Sequence, residues 1–133
     1  MKIGLRVKKI LAIALLVGIM IPSVAMASSY NLTYSFKYHL IGPERYFDGQ
    51  NIKAYLNSNA ELTHATSDVF QVTLYRSVVG IDNRIGSGYA WRKGASTINW
   101  SNVGSGTYYL DFLKADDGIY VTNADDTSKM SNY

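Results

Sequence analysis

The chain contains no cysteine. No disulfide can brace it, no thiolate can attack a substrate, and no cysteine-based zinc site can form. Histidine is almost as scarce, with His39 and His64 the only two copies. A serine triad needs a histidine held between a carboxylate and a hydroxyl, and the nucleophile elbow G-x-S-x-G is absent. Proline occurs twice, at Pro22 and Pro43. Beyond residue 27 no stretch carries apolar residues at helical spacing. A fold without disulfides or helices must be held by a β core.

A basic surface is lacking too. The formal net charge is +3, but Lys2, Arg6, Lys8 and Lys9 supply four of the thirteen basic residues. From residue 28 onward nine basic residues face ten acidic ones, a net charge of −1. Nothing there suits a nucleic acid, and no polybasic segment suits an anionic lipid surface. The four early cations precede an uncharged apolar run, Ile10–Met20, then Pro22 and the small-x-small triplet Ala25-Met26-Ala27. That order is a secretory leader, with cleavage expected after Ala27. The run is too short to span a bilayer as a helix. The protein is thus expected to be secreted and extracellular, without a membrane partner once the leader is removed. A leader on a cysteine-free domain points to a bacterial source.

What the chain does have is aromatic residues, all beyond the leader: eleven Tyr, four Phe and two Trp. Tyr30 to Leu40 (YNLTYSFKYHL) alternates apolar and polar residues without a break. On a strand this puts Tyr30, Leu32, Tyr34, Phe36, Tyr38 and Leu40 on one face. Ile52, Ala54 and Leu56 alternate in the same way, as do Phe70, Val72 and Leu74, and Tyr108, Leu110 and Phe112. Further strands are expected over Arg84–Trp91 and Ser96–Trp100. Gly86 and Gly88 in the first of these signal a bulge, a bend or a close backbone approach. Ala60–Asp68 is polar, without period, and reads as a loop. Thr107–Leu113 and Ile119–Thr122, joined by Ala115-Asp116-Asp117-Gly118, read as a hairpin. Asn123–Tyr133 reads as a flexible polar tail. The expectation is one antiparallel β-sandwich over residues 28–122, of about seven strands, with a small barrel as the alternative.

The segment Gly106-Thr107-Tyr108-Tyr109-Leu110 through Gly118 resembles the closing strands of small secreted bacterial β-sandwich modules. The bacterial pre-peptidase C-terminal domain is the nearest of them. The resemblance rests on a glycine-then-aromatic strand start and implies architecture rather than activity. That family favours an Asp before its central Leu-Tyr strand; here Val72-Thr73 precedes Leu74-Tyr75.

Glu44, Asp48, Glu61, Asp68 and Asp111 offer carboxylates for hydrolysis, but none stands in a distinctive setting. No catalytic residue and no cofactor are expected. Asp116, Asp117, Asp125 and Asp126 are calcium-type donors at spacings that match no calcium loop, so no metal site is assigned. The functional hint is aromatic. Tyr55, Tyr75 and Tyr109 alternate with core residues and so face outward, and Trp91 and Trp100 flank a turn. Exposed rings stack on sugars or anchor proteins, so these five are the candidate ligand-binding residues. A one-residue slip in register would turn them inward. The expected function is non-enzymatic binding of an extracellular polymer, whether cell wall, matrix or polysaccharide, or of another protein. The alternative is a secreted antagonist such as a toxin, bacteriocin or enzyme inhibitor, with a hydrolase third.

Overall fold

Each alternating segment has one apolar face, and two such faces closed on each other exclude water from both. The computed structural model describes residues 28–133, so the expected leader lies outside it. In chain order the strands are β1 (Ser29–Asn31), β2 (Ser35–Phe36), β3 (His39–Ile41), β4 (Arg45–Phe47), β5 (Ile52–Asn59), β6 (Val69–Arg76), β7 (Asn83–Trp91), β8 (Gly94–Trp100), β9 (Gly106–Leu113), β10 (Val121–Asn123) and β11 (Lys129–Asn132). Every described pairing is antiparallel. The all-β sandwich expected from the alternation is the fold observed.

The first sheet is built on β5. β8 lies along one edge; along the other, β11 pairs with Ile52–Tyr55 and β10 with Ser58–Asn59. β1 continues outward from β11, and β2 from β10. In the second sheet β9 has β6 and then β7 on one side and both β3 and β4 on the other. Three pairs of segments, β1/β2, β3/β4 and β10/β11, therefore each act as one interrupted strand, and each sheet is four strands wide. Successive strands alternate between the sheets, except for the β6–β7 hairpin. That connectivity is a jelly roll.

The inner faces are largely those that the alternation marked. Ile52, Ala54 and Leu56 on β5, Phe70, Val72 and Leu74 on β6, and Tyr108, Leu110 and Phe112 on β9 are all buried. Phe36, Phe70 and Phe112 meet at centroid separations of 5.3–5.5 Å and bind the two layers at their centre. The two glycines of β7 mark a close approach. A Cβ on Gly88 would stand 2.8 Å from Ile98, and the Gly86 carbonyl accepts the Trp100 indole N–H at 3.0 Å. β8 crosses β7 over these two residues.

Three expectations are corrected. Tyr30–Leu40 is not one strand but β1, β2 and β3, and it passes from the first sheet to the second after Phe36. Tyr34 and Phe36 are buried, whereas Tyr38, at the crossing, is 53 % exposed. Alternation persists because both sheets turn their apolar faces to the same interior. β9 and β10 do not form a hairpin, because they lie in opposite sheets. Finally, the last residues are not a frayed tail. β11 is inserted between β1 and β5, with Met130 buried in the core. Its polar neighbours are tied in. The Ser128 hydroxyl accepts from the Asn57 N–H at 2.9 Å, and the Asn132 amide donates to the Asp48 carbonyl at 2.8 Å.

A buried ion cluster locks the crossing from β9 to β10. Arg92, just beyond β7, and Lys114, just beyond β9, both have fully buried side chains. Arg92 donates to one Asp117 oxygen at 2.6 Å and Lys114 to the other at 2.9 Å. The Thr66 backbone and hydroxyl also donate to Asp117, each at 3.1 Å. The Lys114 bond first, and Arg92 second, hold the Asp117 carboxyl far below the usual carboxylate range.

Candidate functional site

On β6 the residues alternating with Phe70, Val72 and Leu74 are Val69, Gln71, Thr73 and Tyr75, and they face away from the core. The ladder sets Trp91, Tyr89 and Ser87 of β7 opposite the first three, and Arg84 opposite Tyr75 after a register shift at Leu74/Tyr75. On the other side β9 sets Leu113, Asp111 and Tyr109 opposite Gln71, Thr73 and Tyr75. β3 adds His39 opposite Leu113 and Ile41 opposite Asp111. The outer face of the second sheet is therefore a grid of side chains with three zones.

At one end Tyr75 and Tyr109 stack at 5.3 Å with ring planes 10° apart. The Tyr109 hydroxyl donates to Asp82 at 2.8 Å. That bond first, then burial, pushes its pKa up to about 12. The middle zone is polar. The Thr73 and Ser87 hydroxyls are 2.6 Å apart, and His39 Nε2 lies 2.7 Å from Asp111. At the other end lies an open cleft of about 380 Å³, lined by Tyr38, Gln71, Tyr89 and Leu113 with Val69 and Lys114. Tyr38 and Tyr89, 53 % and 66 % exposed, offer largely free rings, and Trp91, 50 % exposed, continues the aromatic edge along β7. A second cavity of about 100 Å³ opens between the sheets beside Leu32, Leu40 and Pro43 and is mostly apolar.

The five candidates from the sequence separate. Trp91, Tyr75 and Tyr109 share this face, but Trp91 stands at the cleft end and the tyrosine stack at the other. Tyr55 lies on β5 in the first sheet, opposite Lys129 and Thr97. Trp100 is a correction. It pairs with Ile52 on the inner face of β8 and is only 7 % exposed. A place beside a turn suggests exposure, but the strand that ends at Trp100 turns it inward. Alternation from Trp100 back through Ile98 would have marked it as inner. Tyr38 and Tyr89 were missed for different reasons. Tyr38 lies at the break where the chain changes sheets, and Tyr89 simply alternates with buried Ala90.

The remaining chemistry-bearing residues are structurally occupied or stand apart. His64 is exposed in the Ala60–Asp68 loop. Asp125 accepts from the Thr127 N–H at 3.0 Å and from the Asn57 amide at 3.0 Å. Its pKa is lowered first by the Thr127 hydroxyl, which also donates to it, and second by the Thr127 N–H. Among the described residues no three His, Asp or Glu side chains gather in a way that would hold a metal ion. The arrangement offers ring faces, an amide and a histidine–carboxylate pair, which are tools for holding a neutral polar ligand. No protein-family model matches the chain, and no similar curated protein is found.

Proposed function

We propose that this is a non-enzymatic binding module of the extracellular space that holds a polysaccharide strand against Tyr38 and Tyr89. The observation that carries the reading is the cleft between those two exposed rings, with the Gln71 amide between them. Sugar rings present C–H faces that pack on aromatic planes, and their hydroxyls need amide or imidazole partners at the edge. Gln71 and His39 supply such partners in one row of the ladder, with Leu113 between them, and Asp111 in the next row pairs with His39. Trp91 extends the platform by one more position, as a chain-like ligand requires. Because the contacts are stacking and neutral hydrogen bonds, binding depends little on salt.

Co-sedimentation with insoluble wall material and common polysaccharides tests this. The protein should pellet with at least one polymer at both low and high salt. Tyr89→Ala should weaken that binding by ~10-fold or more, in the range of a lost aromatic contact, and leave the melting temperature unchanged. Failure to pellet with any polymer, or equal binding by Tyr89→Ala, refutes the reading.

A further inference from the structure

The β6–β7 hairpin ends in Ser77-Val78-Val79-Gly80-Ile81-Asp82. Val79 is fully exposed, Ile81 is 90 % exposed and Val78 is 38 % exposed. Single aliphatic residues on a surface need no explanation. Three on one projecting tip, none engaged by the core, do.

The tip is also held in shape. The Ser77 N–H donates to the Thr107 carbonyl at 2.9 Å, and its hydroxyl to Glu44 at 2.7 Å. The Val78 N–H donates to one Asp82 oxygen at 3.1 Å and the Tyr109 hydroxyl to the other at 2.8 Å. Gly80 takes φ +101, a conformation that favours glycine, and completes the turn between the two fully presented side chains. Asp82 is thus both the brace of the loop and the anchor of the tyrosine stack behind it.

The shape decides what such a tip fits. It is a convex knob of three side chains. A stable protein interface buries ~800 Å² per partner, far more than these residues offer. A bilayer needs no complementary surface and admits a knob by displacing its own headgroups. Behind the tip stand Tyr75, Tyr109 and Arg84, residue types that settle at the headgroup level when an apolar neighbour is inserted. We propose that the β6–β7 tip inserts Val79 and Ile81 into the interfacial layer of a lipid bilayer, so that the protein rests on a membrane by this corner. The expectation that the mature chain has no membrane partner rested on its lack of a polybasic segment and on removal of the short apolar leader, and this contact uses neither. Arg76 and Arg84 at the base of the hairpin are matched in number by Glu44 and Asp82, which bond Ser77 and Val78 of the loop, so the contact does not select anionic lipid.

Flotation with vesicles of phosphatidylcholine alone is the test. A single myristoyl chain partitions with ~10⁴ M⁻¹, and the tip has fewer apolar carbons, so binding is expected only at millimolar lipid. The bound fraction should change less than ~2-fold between about 0.1 M and about 0.5 M salt. Val79→Asp and Ile81→Asp should each cut it by ~10-fold or more while leaving the melting temperature unchanged, since neither side chain is buried. Val79→Trp should float at least as well, with its added emission shifted to the blue on vesicles. Tyr89→Ala should float like the unmodified protein, which separates this contact from the polysaccharide cleft. The proposal is overturned if phosphatidylcholine vesicles do not carry the protein, if only anionic vesicles do so and salt releases it, or if the aspartate variants float equally.

Discussion

Trp91 and Trp100 sit at the ends of two consecutive strands and have opposite environments. Trp91 is half exposed on the outer face of the second sheet, whereas Trp100 is buried and donates its indole N–H to the Gly86 carbonyl. Removing the buried ring empties the site between β7 and β8 and leaves that carbonyl without its partner. Trp100→Ala is therefore expected to destabilise the domain by ~3–5 kcal/mol. Trp91→Ala should change stability by less than ~0.5 kcal/mol, as a surface substitution. Denaturant midpoints of the two variants check this. A soluble quencher should reach one tryptophan readily and the other poorly. Two equally quenched tryptophans would contradict the packing of β8 over β7.

At the scale of the element, β11 is the least legible and the most consequential strand. Lys129–Asn132 pairs with β1 on one side and β5 on the other. Without it, β1 loses its ladder and β5 exposes half an edge. Met130 leaves the core, and Ser128 and Asn132 leave their partners on Asn57 and Asp48. A protein ending at Thr127 is expected to lose the cooperative unfolding transition in urea, because domains of this size have only ~5–15 kcal/mol in reserve. If it unfolds at nearly the same midpoint as the full chain, β11 is not integral to the sheet. The sequence hid this strand because its apolar content is one methionine. Its place is set by backbone hydrogen bonds, and these need no particular side chain. β5, β6 and β9 were legible for the converse reason: each carries three or more apolar residues at period two.

For the molecule as a whole, Asp117 joins parts that are distant in sequence. It holds Arg92 beyond β7, Lys114 beyond β9 and the Thr66 loop at one point. Breaking a buried ion pair from one side strands the other charge. Asp117→Asn is therefore expected to cost ~3–5 kcal/mol at neutral pH. The pH dependence has a definite sign. The folded state lowers the Asp117 pKa, so its contribution is complete above the unfolded carboxyl value of ~3.9 and fades as pH falls below it. The stability gap between the unmodified protein and Asp117→Asn should stay constant from about pH 7 to about pH 5 and narrow below about pH 4. A gap that instead widened in acid would mean that the carboxyl is not held ionised by its two cations.

By itself the sequence determined that the chain from residue 28 onward is all-β and which faces of β5, β6 and β9 are buried. Alternation is a local property, and a strand has only two faces on which to express it. It also determined that the fold would rest on packed aromatic and aliphatic side chains, since no cysteine is present. Tertiary structure decided where the interrupted strands belong. β1/β2 and β3/β4 divide one alternating stretch between two sheets, and β9 and β10 part company across a buried carboxylate. Only the assembled sheet brought Tyr38, Gln71, Tyr89 and Leu113 to one cleft. Pairing in a sheet is chosen by the summed fit of residues far apart in the chain, and no single segment carries a record of the neighbour it will meet.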